Sequence, residues 1–283
     1  MKRLIVLLLA AGFVLGVQAS DSLRFVNAKR TSFIVPGAKG YFLQAELFGA
    51  PQTISVIKLS QKKFRPRLVQ TDELATTSWL ASSNRAICAI NAGYWSRDTT
   101  PATYLRIDGH DISTTARGLY HRVNGVVLLD GEFDVVSCMP DDYEKLAAKH
   151  NNLIAVGPVL IDEGSRISYE HVKNGHPDYT AGAVRFFHAR HPRSVIGRNA
   201  KGEVFLVVVD GRNSENAAGM SIYELGNLCA WLGLTDAINL DGGGSSTLWS
   251  STDGVINHPC DNRKFDHEGE RAVSSAILFL KRK

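Results

Sequence analysis

The 283-residue sequence holds four cysteines, Cys88, Cys138, Cys229 and Cys260, and neither a CxxC pair nor an HExxH box occurs among them and the nine histidines. Zinc centres need such closely spaced ligands, so the pattern argues against one. Four cysteines allow three pairings in an oxidising compartment. Cys88 and Cys229 fall in apolar segments and read as small buried hydrophobes, whereas Cys138 and Cys260 stand in loop-like surroundings and are the disulfide candidates. Long apolar runs are equally scarce. The only one is in "MKRLIVLLLAAGFVLGVQAS", where Lys2 and Arg3 precede an apolar stretch to Val17 and small residues near Ala19. That is the pattern of a secretory signal peptide, too short and wrongly flanked for a membrane anchor. Cleavage is expected after Ala19 or Ser20, leaving residues 20–283 as one exported domain, periplasmic or secreted, without a stable membrane anchor.

A surplus of one charge is also missing. Lys and Arg number 32 against 28 Asp and Glu; losing Lys2 and Arg3 with the signal leaves 30 against 28, a net +2. Near neutrality argues against a nucleic-acid partner. No low-complexity tract marks a domain boundary, and nothing in the pattern specifies an oligomer.

What is abundant is glycine, 25 residues in a chain that is 44% hydrophobic and 21% charged. Short apolar runs bounded by Gly, Asn, Asp and Pro, such as "TISVIKL", "RAICAINAGYW", "VNGVVLLDG" and "NLIAVGPVLIDEG", read as strands. Helices are few. "DDYEKLAAKHNN" is one candidate. "MSIYELGNLCAWLGLTD" is better defined, because Ser221 and Glu224 form a capping box, Leu225, Leu228, Cys229 and Leu232 share a face, and Gly233 supplies the stop. Residues 164–191 read as a long loop or lid. The fold class expected is α+β or mixed α/β: strand-rich, with a central mixed sheet and few helices.

Two acids end strands on either side of that helix, Asp210 in "GEVFLVVVDGR" and Asp241 in "DAINLDGGGSSTLW". If the strands run parallel as neighbours, both carboxyl ends reach one sheet edge and face one crevice. Asp241 and Asp210 are therefore the candidate catalytic carboxylates. The loop Gly242, Gly243, Gly244, Ser245, Ser246 can aim backbone N–H groups and hydroxyls at an anion. No Lys completes a Walker loop, and Thr247 replaces the last Gly of a nucleophile elbow, so Ser245 is a poor nucleophile. Arg193 and Arg212 adjoin strand ends and are the better phosphate ligands, with Arg198 and Arg271 next. Asn91 and Tyr94 in "NAGYW" complete the candidate substrate-binding set.

Taken together, "NAGYW", "GPVLI", "HPRSVIGRNAKG", "VVVDGR", "GMSIYELGNLCAWLG", "INLDGGGSSTLW" and "ERAVSSAILFL" resemble, in order over residues 85–280, the phosphodiester glycosidase family. Ala92 stands where a glycine is expected in the family's first motif. The resemblance implies a mixed α/β domain and hydrolysis of a sugar 1-phosphodiester on a phosphorylated carbohydrate or glycan. A phosphate monoester leaves as a stable anion, so such an enzyme needs mainly a carboxylate beside the anomeric carbon and an anion site. Two other readings use the same residues. One is a non-catalytic phosphoglycan-binding protein. The other is a phosphodiesterase cleaving P–O, with a divalent cation held by Asp210, Asn239 and Asp241. No other cofactor is implied.

Overall fold

The structure, a computed structural model, describes residues 21–282. The signal-peptide segment lies outside them. Among the described residues no helix is long and apolar enough to cross a membrane.

Three sheets make up the framework. The largest has eight strands, in the order β1 (Arg30–Val35), β2 (Ala38–Leu47), β3 (Ala50–Ser60), β14 (Glu203–Val209), β13 (Arg193–Asn199), β15 (Leu234–Asn239), β11 (Val159–Asp162) and β12 (Ser165–Arg166). A five-stranded sheet is ordered β7 (His110–Ser113), β6 (Leu105–Ile107), β10 (Leu153–Val156), β8 (Gly125–Leu128) and β9 (Asp134–Ser137). Another runs β17 (Gly254–Val255), β16 (Leu248–Ser250), β5 (Cys88–Asn91), β18 (Ala272–Lys281) and β4 (Phe64–Thr76). Every pairing within these sheets is antiparallel, which corrects the expected mixed sheet. The misreading has a physical source. Unbroken apolar strands such as "VFLVVV" ordinarily mark parallel sheets covered on both faces. Here β14 is antiparallel yet still covered on both: Leu206 and Val208 enter a cluster with Ile90, Ile154, Ile277 and Phe279 of the other sheets, while Phe205, Val207 and Val209 face Leu225, Leu228 and Phe187.

The run "NLIAVGPVLIDEG" splits. Its first half is β10 (Leu153–Val156) in the second sheet and its second half is β11 in the first, with a turn at Gly157 and Pro158 between them. A side chain at Gly157 would collide with the Arg122 carbonyl, so the turn demands glycine.

Four α-helices follow, besides a helical stretch over residues 21–28. α1 (Thr77–Ser83), not anticipated from sequence, packs Leu80 and Ala81 against Ala89 and Leu278. The first anticipated helix shrinks to α2 (Tyr143–Ala147). The supposed long loop contains α3 (Ala181–His188), capped by Thr180. α4 (Ile222–Trp231) has the expected capping box between Ser221 and Glu224, and Gly233 at φ +75° ends its last turn. Glu224 also pairs with Arg190, so its carboxylate is wholly structural. All four cysteines are free thiols. Cys138 lies in the core beneath the second sheet and Cys260 beside the glycine loop, which corrects the disulfide expectation; Cys88 and Cys229 are fully buried as anticipated.

Candidate active site

β14 and β15 both pair antiparallel with β13, so they run parallel to each other but are not neighbours. The start of β13 lies between their ends, with Arg193 opposite Val209 and Val195 opposite Asn239. One sheet edge therefore presents Asp210, Arg193 and the Leu240–Asp241 pair. Ser194 completes the join by accepting the Leu240 N–H at its carbonyl, 2.8 Å.

Asp241 is held by its backbone. Its N–H donates to the Ala92 carbonyl at 2.9 Å, its carbonyl accepts from Asn91 Nδ2 at 2.7 Å, and one carboxylate oxygen accepts the Gly242 N–H at 2.9 Å. The carboxylate is half-buried and makes no other hydrogen bond among the described residues. Desolvation pushes its pKa up to about 6, against the opposing pull of the Ser245 hydroxyl, the Gly242 N–H, Arg271 and Arg122. The Ser245 hydroxyl is close enough to act on that charge, yet its geometry falls short of a hydrogen bond. Ser246 Oγ, Thr247 Oγ1 and Asn239 Oδ1 are likewise buried without hydrogen bonds. Such atoms are costly, and residues 239–247 concentrate four of them behind Asp241.

The three glycines answer to close packing. A Cβ at Gly242 would lie 2.6 Å from the Pro192 carbonyl oxygen, one at Gly243 (φ +65°) 2.8 Å from Arg212 Nη2, and one at Gly244 would strike the Arg271 guanidinium. The anion nest expected of them is largely spent within the loop. Gly242 N–H goes to Asp241, Gly243 N–H to the Pro192 carbonyl, Ser245 and Ser246 N–H to the carbonyls of Gly242 and Gly243, and Thr247 N–H to Asn91 Oδ1. What the glycines admit is arginine.

Those arginines divide sharply. Arg193 is buried and donates to three carbonyls, of Met220, Phe186 and Ala189, at 2.9, 2.7 and 3.1 Å. It has no carboxylate partner, and burial draws its pKa down to about 10, leaving it charged at neutral pH. Arg122, which the sequence reading missed, lies 4.5 Å over the Phe186 ring and 5.3 Å from that of Tyr94, with its Nε buried and unbonded. Arg212 is exposed, adopts φ +64°, rests against Gly243 and touches only Cys260 Sγ, at 3.7 Å. These three cations have no acid of their own among the described residues. After burial, the charges of Arg193, Arg212 and Arg185 help bring His191 down to about 4. Arg271 is instead paired with Asp261, and Arg198 with Asp134 and Asp236 in a separate cluster. Only the stacking of Arg122 on aromatics distant in sequence marks it, and "YHRVNG" carries no local sign of that.

Asp210 is fully buried, and both its oxygens are engaged. It accepts from Asn257 Nδ2 at 2.9 Å, from the His258 N–H at 3.0 Å on each oxygen, and faces His258 Nδ1 at 3.0 Å. The His258 ring stacks on Phe265 at 4.0 Å. Asn257 also donates to the Ser246 carbonyl, which ties Asp210 to the Asp241 loop. Asn91 is similarly consumed: besides Asp241 it accepts from Ser194 Oγ and the Thr247 N–H. Tyr94 is buried, donates to the Gly157 carbonyl at 2.6 Å and accepts from Asn239 Nδ2 at 3.1 Å, so its ring is a wall of the site rather than an open platform. Among the described residues, no three His, Cys, Asp or Glu side chains converge as a metal-binding group.

One edge of an all-antiparallel, multi-sheet α+β framework thus brings Asp241, with one hydrogen bond to its carboxylate, together with arginines that have no acidic partner among the described residues. The chain belongs to the phosphodiester glycosidase family, which it matches over residues 84–280. It is 25% identical over 180 residues to the bovine N-acetylglucosamine-1-phosphodiester alpha-N-acetylglucosaminidase, covering 62% of this chain and 33% of that protein. It is 35% identical over 183 residues to an SPbeta prophage-derived protein of Bacillus subtilis, covering 62% and 26% respectively. The chain thus spans about a third or less of these relatives. Its fold matches the catalytic domain of the zebrafish N-acetylglucosamine-1-phosphodiester alpha-N-acetylglucosaminidase, with TM-score 0.67 and 16% identity over 90% of this chain and 88% of that one. A Synechocystis protein matches with TM-score 0.68 and 15% identity, over 90% and 64%.

Proposed function

We propose that this protein, exported as the domain 20–283, hydrolyses a sugar 1-phosphodiester at the anomeric carbon and releases a sugar and a phosphate monoester. The observation that carries the reading is Asp241, a half-buried carboxylate with one hydrogen bond to its side chain, its pKa pushed up to about 6 by burial, near Arg271, which pairs with Asp261, and Arg122, which has no acidic partner among the described residues. Arg212 at the rim and Arg122 within hold the phosphate, and Arg193 adds its field from beneath. The phosphate monoester departs with the C–O electron pair and without a proton, so Asp241 serves in its ionised form, stabilising positive charge at the sugar carbon while water forms the new C–O bond and releases its proton to solvent. Gly242–Ser246 shape the pocket, and the Ser245 and Ser246 hydroxyls are placed to meet sugar or phosphate oxygens. Asn91, Tyr94 and Asp210 act by position, holding Asp241, the pocket wall and the flanking segment.

The phosphodiesterase reading is weaker, because Asp210, one of its three oxygen ligands, has both oxygens occupied by N–H donors, although Asn239 Oδ1 stays without a hydrogen bond. Hydrolysis of a sugar 1-phosphodiester in water enriched in heavy oxygen separates the readings. Label in the sugar supports attack at carbon; label in the phosphate overturns it in favour of P–O cleavage. Tight binding without turnover would instead mark a phosphoglycan-binding protein.

A further inference from the structure

A cavity of about 940 Å³ among the described residues lies apart from Asp241, which is not in its lining. It runs beside β4 (Phe64–Thr76), the edge strand of one five-stranded sheet, and opposite β7 (His110–Ser113), the edge strand of the other, with α1 at one end. Two of the most exposed large hydrophobic side chains open into it, Trp79 at 57% and Ile112 at 43%. Arg65 and Arg67 line it without an ion pair, and Asp108 is its only acid. Thr71 Oγ1 is buried there without a hydrogen bond. The volume matches the upper end of ligand pockets, about 300 to 1,000 Å³, and exceeds what a lone sugar ring fills.

An indole face open to solvent beside guanidinium forks suits a ligand with an apolar ring face and negative charge. An added peptide strand suits it poorly: Pro66 has no N–H to donate, and Arg65 and Arg67 are the charged guards that keep an edge from pairing. We propose that this groove binds a segment of anionic glycan polymer several sugars long, carrying phosphodiester groups. β4 joins the groove to the catalytic loop. Its end, Thr76, pairs with Ala272, next to the Arg271 that abuts Gly244, while Arg67 pairs with Leu278, six residues and roughly 20 Å further along the partner strand. A polymer held there is tethered at a distance from Asp241, and the proposal stands or falls on binding alone, whatever the chemistry at Asp241.

Calorimetric titration of the full protein tests it, with a phosphodiester-linked oligosaccharide, a neutral dextran oligosaccharide and poly-glutamate as probes. The phosphodiester-linked probe should bind and dextran should not. Trp79→Ala should weaken binding about tenfold or more, and the Arg65→Ala/Arg67→Ala double variant should do so comparably and flatten the salt dependence. Melting temperatures should be unchanged, since these side chains are exposed. No binding by the wild-type protein overturns the proposal, as does equal binding of dextran. Poly-glutamate binding that ignores Trp79→Ala would identify a peptide surface. Binding lost in Arg212→Ala but kept in Trp79→Ala would put the polymer in the catalytic site instead.

Discussion

Asp210 and Asp241 end parallel strands on the same sheet edge, and their neighbours make them opposites. Asp210 is surrounded by donors: an amide, a backbone N–H and an imidazole use up its oxygens. Asp241 receives one backbone N–H and stays half-buried, and desolvation pushes its pKa up to about 6. A carboxylate whose hydrogen bonds are satisfied organises structure. One left under-satisfied beside unpaired cations is free for chemistry.

The sharpest way to break this comparison is to neutralise each acid. Asp241→Asn should cut turnover of a sugar 1-phosphodiester about a thousandfold while the melting temperature holds or rises. A variant with wild-type kcat would reduce Asp241 to a turn residue. Asp210→Ala should act in the other sense. It strands the donors of Asn257 and His258, costing about 3 kcal/mol and lowering the melting temperature on the order of 10 °C, with the folded fraction still active.

The pH profile sharpens the contrast further. In the proposed mechanism Asp241 works ionised, and its pKa is raised, so activity should climb as pH rises through about 6, and that limb should vanish in Asp241→Asn. The stability effect has the opposite sign. Folding holds the Asp241 proton more tightly than the unfolded chain does, so the stability this provides at low pH is lost as pH rises through about 6. Asp241→Asn should remove that loss, measurable as a smaller decline in melting temperature between acid and neutral pH.

Arg212→Lys tests the cation side at a lower magnitude. It keeps charge but loses the fork, and should raise KM for the phosphodiester roughly tenfold without altering stability. The smallest effect is expected at Ser221→Ala, which removes the cap of the helix joining the two acidic strand ends. It should cost about 1 kcal/mol and leave kcat unchanged, since both ends remain held by β13.

The sequence by itself determined the features that near neighbours decide. The capping box of α4, its apolar face and its Gly233 stop were readable because each depends on residues a few positions apart. The strand ends at Asp210 and Asp241 and the ordered family motifs were readable for the same reason. Only the tertiary structure decided what lies beside them. It put β13 between two strands that looked adjacent, made every sheet antiparallel, brought His258 to Asp210 from 48 residues away, and stacked Arg122 on Phe186. Those pairings are long-range: strand order and the approach of distant side chains are settled by which apolar faces must be buried together, a property of the whole packed chain that no local pattern contains.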